Sequence, residues 1–99
     1  MDKVLSLQEI AGVVRPIAEK YGVEEIYLFG SYARGETLKD SDLDFLVFGG
    51  SLFKPTRIFS LAEDLRKAFG KDVDVFEIHE VNVGSEFYQI IMEERLKVA

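Results

Sequence analysis

The chain has 99 residues, 47% of them hydrophobic, the size of one domain spanning 1–99 with a core of its own. Eighteen acidic residues against twelve basic ones leave a net charge of −6, which argues against a general nucleic-acid binder and against an anionic membrane surface. The absence of cysteine excludes a disulfide scaffold and any thiolate metal site, and is compatible with a reducing cytoplasm. Asp2, Gln8 and Glu9 interrupt the apolar N-terminus, so it does not read as a signal peptide. No apolar run approaches the ~20 residues of a bilayer span.

Ser6 and Glu9 form a capping box that opens a helix. Ile10, Val14, Ile17 and Tyr21 continue it as one apolar stripe; Pro16 predicts a kink, and Gly22 ends it. Glu25 to Phe29 reads as a strand closed by Gly30, and Ser31 to Arg34 as one helical turn stopped by Gly35. Glu36 to Ser41 is a polar loop. Asp42 to Phe48 is a second strand, apolar on both faces after Asp44 and so covered on both sides.

Pro55 suits the start of a helix whose stripe is Ile58, Leu61, Leu65 and Phe69, with Gly70 as terminator. Val73 to Ile78 is a third strand. Ser85 caps a last helix carrying Phe87, Ile90 and Ile91, while Leu96 to Val98 is too short to assign. The alternation gives a small α/β layer fold, with strand directions left open.

One spacing carries chemistry. Gly30-Ser31 is followed, after ten residues, by Asp42-Leu43-Asp44. Gly30 ends a strand, where a missing Cβ lets a phosphate approach the backbone. Ser31 opens a helical turn whose free N–H groups favour an anion. Asp42 and Asp44 point to one face with Cα atoms roughly 6.6 Å apart, a spacing from which both reach a shared Mg²⁺ or bracket two ions. A third carboxylate from a neighbouring strand is offered by Asp74, flanked by Val73 and Val75. Asp72, after Lys71, lies on the same face by spacing and is the alternative.

The segments Gly30-Ser31-Tyr32-Ala33-Arg34-Gly35 and Ser41-Asp42-Leu43-Asp44-Phe45-Leu46-Val47 resemble the polymerase β-like nucleotidyltransferases. The resemblance is strongest to their minimal branch, the antitoxins of HEPN/MNT toxin–antitoxin pairs, and it covers nearly the whole chain. It implies an α+β fold, a small mixed sheet flanked by helices. It implies that Gly30 and Ser31 hold the nucleotide's phosphates, with Arg34 steadying the phosphates or the loop. Asp42, Asp44 and Asp74 would be the catalytic carboxylates and the ligands of Mg²⁺, two ions in the family's manner. The implied reaction transfers AMP from ATP to a hydroxyl, a tyrosine on a partner HEPN toxin.

Two other functions fit the same residues. The domain neutralises a toxin by docking its acidic surface on a basic groove, without catalysis. Or it modifies a small molecule in a pocket completed by another chain or by a second copy in a homo-oligomer. Elsewhere, Arg34 has a structural alternative in an ion pair to Glu36 or Asp40. His79 reads as a surface residue, Tyr27, Phe29, Phe45 and Phe48 as core, and Glu93-Glu94-Arg95 as a solvated helix end.

Overall fold

A computed structural model describes residues 4–36 and 42–99. Residues 37–41 of the loop expected at 36–41, with Ser41 of the motif and the Asp40 partner proposed for Arg34, lie outside the described residues, as do residues 1–3. The elements run α1 (Leu7–Tyr21), β1 (Glu25–Phe29), α2 (Ser31–Arg34), β2 (Leu43–Phe48), α3 (Ile58–Phe69), β3 (Val73–Glu77), α4 (Glu86–Glu94) and β4 (Leu96–Lys97). Short 3-10 turns at Pro55–Arg57 and Ile78–Glu80 precede α3 and follow β3.

The caps fall where the sequence puts them. Ser6 Oγ accepts the Glu9 N–H at 3.1 Å and Glu9 Oε1 accepts the Ser6 N–H at 3.0 Å. Gly22 closes α1 in the left-handed conformation, φ 68°. Ser85 Oγ accepts the Tyr88 N–H at 3.1 Å and opens α4. The helix α1 runs on through Pro16, whose ring faces solvent.

The sheet order is β3-β2-β1-β4. β1 is antiparallel to β2 and β4, while β2 and β3 are parallel, so the sheet is mixed. β4 is the element that sequence patterning left unassigned. Two residues carry no periodicity; the strand exists because its backbone pairs with Tyr27 and Leu28. Beyond it, the Val98 N–H donates to the Ile26 carbonyl at 2.9 Å.

One face of the sheet, with Ile26, Leu28, Leu43, Phe45, Val47 and Val73, packs on Ile10 and Val14 of α1 and Leu61 and Leu65 of α3. The other face, with Phe29 and Leu46, packs on Ile91 of α4 and on Val81. β2 is thus covered on both sides, as its continuous apolar run requires. Asp44, the second residue of that strand, sits at the edge of this enclosure. No helix among the described residues is long and apolar enough to cross a membrane.

Gly12 is exposed within α1, and a Cβ there would meet nothing within 4 Å. Gly12→Ala therefore stabilises the fold by about 0.5–1 kcal/mol, because alanine loses less backbone entropy in a helix. Urea unfolding should give a higher midpoint at an unchanged slope; an equal or lower midpoint refutes the expectation.

Candidate active site

The site is built by strand register. β1–β2 pairing sets Phe29, the last residue of β1, opposite Asp44. On the other side, β2–β3 pairing sets Asp74 opposite Asp44. Register partners share a face. The row Phe29–Asp44–Asp74 therefore crosses three strands at one end of the sheet, on the face that α4 covers.

Asp44 is half-buried between these neighbours. Burial, then the charges of Asp74 and Asp42, push its carboxyl from the ordinary aspartate value up to about 6. Arg34 pulls in the opposite direction, and a hydrogen bond with Asp74 adds the smallest contribution. Asp42 precedes β2 and is exposed, yet its charge still bears on Asp44. Asp72 lies outside β3, exposed, with its carbonyl accepting the Leu43 N–H at 3.1 Å. Of the two candidates for third carboxylate, Asp74 is thus the one beside Asp44.

Among the described residues, no group of three carboxylates or imidazoles is arranged as a ready-made metal cage. Asp44 and Asp74 meet, and Asp42 stands in solvent beside them. The donor chemistry nevertheless suits a hard divalent cation: the donors are all carboxylate oxygens, and burial, then the neighbouring carboxylates, raise the proton affinity of Asp44.

Gly30 has a reason in the structure that the sequence did not reveal. It adopts φ 79°, ψ −156°, which favours glycine. A Cβ here would also overlap Oδ2 of Asp44 and lie 3.2 Å from its Cγ. The missing side chain makes room for the carboxylate, whatever else approaches the turn. Ser31 opens α2, and its carbonyl accepts the Glu36 N–H at 2.9 Å.

Arg34, at the end of α2, is held from two sides. Its Nε donates to Glu36 Oε1 at 2.6 Å, and its terminal nitrogen donates to Glu94 Oε1 and Oε2 at 3.2 and 3.0 Å. The Glu36 pair was one of the two structural partners expected. Glu94 corrects the reading of 93–95 as a solvated helix end: its side chain is only 15% exposed. Its neighbour Arg95 stacks its guanidinium 4.3 Å from the Tyr27 ring centre. Sequence pattern hid both, since a Glu-Glu-Arg helix end looks alike in solvent and in contact. His79 is exposed as expected, with Nδ1 2.6 Å from the buried Glu77. Phe29 and Phe45 are buried, Tyr27 and Phe48 partly so.

A family model described as polymerase beta nucleotidyltransferase matches residues 13–97. The chain belongs to this nucleotidyltransferase family. Its relatives include MntA of Thermococcus cleftensis, a protein adenylyltransferase 37% identical over 76 residues, covering 73% of this chain and 77% of that one. A solved structure described as a minimal nucleotidyltransferase superposes with TM-score 0.76 at 26% identity, covering 97% of this chain and 95% of the other. A chain in the complex of the tri-AMPylated Shewanella oneidensis HEPN toxin with its MNT antitoxin has TM-score 0.70 at 20% identity, covering 95% of this chain and 72% of that one, a likeness of fold.

The raised Asp44 value fixes a sign. The folded state holds its proton more tightly than the unfolded chain does, so this group's contribution to stability is lost as pH rises from about 4 through about 6. In chelator-treated buffer, the stability of Asp44→Asn relative to wild type should grow by about 1 kcal/mol between pH 4 and pH 7, after solvent screening of a half-open carboxyl. Urea unfolding at both pH values checks it; a pH-independent difference refutes it.

Proposed function

We propose that the chain is a Mg²⁺-dependent protein adenylyltransferase that transfers AMP from ATP to a hydroxyl, a tyrosine's, of a partner HEPN toxin, and so acts as a cytoplasmic antitoxin. The observation that carries this reading is the contact of Asp74 with Asp44 beside the Gly30–Ser31 turn. The MntA relative, named a protein adenylyltransferase, supports the class of acceptor. The fold likeness to a chain of a complex holding a tri-AMPylated HEPN toxin supports the partner.

In this reading Ser31, through its hydroxyl and N–H, and Gly30 hold the β- and γ-phosphates, and Arg34 steadies the turn. Asp42, Asp44 and Asp74 would hold Mg²⁺, two ions in the family's manner, which supplies positive charge against the triphosphate and the departing pyrophosphate. Asp74, on the exposed side of the pair, accepts the proton of the acceptor hydroxyl. A bond forms between that oxygen and the α-phosphorus as the bond from the α-phosphorus to the bridging oxygen breaks in line.

The test is the intact mass of a co-expressed HEPN toxin after incubation with ATP and Mg²⁺. Wild type should add mass in AMP steps, and the Asp42→Asn/Asp44→Asn double variant should add none. Asp74→Ala should lose activity on the order of 10²-fold or more, and Asp72→Ala far less. A toxin silenced with no mass change would replace this reading by toxin docking without catalysis.

The turn gives a second comparison. Ser31→Ala removes one hydrogen bond to a charged group, worth roughly 1.5–3 kcal/mol, or about one to two decades in kcat/KM. Gly30→Val should be worse, because its side chain would strain the turn and displace Asp44. ATP titration of both folded variants reads the order, and wild-type affinity in Gly30→Val would remove the turn from the nucleotide site.

A further inference from the structure

The last residue of α4 reaches the turn at the end of β1 across the chain. Glu94 Oε1 accepts the Gly30 N–H at 2.9 Å, and both its oxygens accept from the Arg34 terminal nitrogen, at 3.2 and 3.0 Å. One carboxylate thus grips both ends of the segment Gly30–Arg34, with Ser31 between them. Its side chain is 15% exposed, against 45% for Arg34 and 62% for Glu36, the arginine's other partner. The enclosed contact is the one that water screens least.

The grip falls where the backbone has least to hold it. Gly30 at φ 79° has no side chain to pack, so its peptide orientation depends on what its N–H and carbonyl bond. The carbonyl accepts the Arg34 N–H at 3.1 Å, within the same turn. The N–H goes to Glu94 and ties this end of the turn to α4. The same glycine lies against Asp44, so a shift of the turn moves against that carboxylate.

We infer that Glu94 is a positioning residue for the nucleotide turn: it sets the Gly30 peptide and the Arg34 guanidinium from outside, and through them the placement of Ser31 between them. This rests on the reading of Gly30, Ser31 and Arg34 as the triphosphate-binding turn.

The experiment measures binding of α,β-methylene-ATP with Mg²⁺ by titration calorimetry, well below each variant's Tm, and KM and kcat with the HEPN toxin as acceptor. Glu94→Gln keeps the size of the side chain and an oxygen for the Gly30 N–H but gives up the charge facing Arg34. It should weaken nucleotide binding roughly tenfold, chiefly as a higher KM. Glu94→Ala removes both contacts and should weaken binding further; Glu94→Gln still decides the matter where Glu94→Ala does not fold. In an Arg34→Ala background, Glu94→Gln should have no further effect on nucleotide affinity. A purely structural Glu94 would lower Tm and leave the affinity and KM of the folded variant at wild-type values, which overturns the inference alone. Absence of binding by wild type itself would overturn the nucleotide turn and the inference with it.

Discussion

The constraint on which the site depends is the crowding of carboxylates at one end of a sheet whose central strand is otherwise largely buried. Asp44 follows a buried leucine and precedes three buried residues, and faces Asp74 across the parallel β2–β3 pair. Burial and the charge of Asp74 together raise the proton affinity of Asp44. The protein tolerates the arrangement because the rest of β2 is covered on both faces, by α1 and α3 on one side and α4 on the other. The repulsion is confined to the strand ends.

Around that point each element has a positional task. Antiparallel β1 delivers Gly30 to Asp44, and parallel β3 delivers Asp74. α4 covers Leu46 and Phe29 with Ile91 and, one helical turn on, presents Glu94 to the turn. The helix that completes the second hydrophobic layer is therefore also the one that ties down the segment after β1. Packing and site geometry share one helix, with 91 and 94 falling on one side of it by their three-residue spacing.

The sequence made legible whatever depends on local pattern. Capping residues, apolar stripes and the Gly-Ser and Asp-x-Asp signals at strand ends placed the helices, three strands and the aspartates within a residue or two. The preference for Asp74 over Asp72 came from its flanking valines; in the structure Val73 is buried and Asp74 is the one that faces Asp44. What stayed hidden depends on contacts between distant residues. β4 is two residues whose only signature is their pairing with β1. Glu94 meets Gly30 across 64 positions. The steric role of Gly30 needs Asp44 in place: the spacing pointed to a phosphate turn, and the structure shows a berth for a carboxylate.

The pairing of Asp44 with Asp74 is enforced by burial, independently of any affinity between the two. Along β3, Val73 is buried in the layer shared with α1 and α3, and Val75 packs against that layer, while Asp74 lies on the opposite face. A one-residue slip of β3 along β2 would turn the valines outward and drive Asp74 into the apolar layer. That slip loses the burial of two valines, each worth about 1.5–3 kcal/mol when complete, and adds an unpaired buried carboxylate. These costs exceed any repulsion that two half-solvated carboxyls can exert at the sheet edge. The hydrophobic pattern of a five-residue strand thus holds together two groups that would otherwise separate.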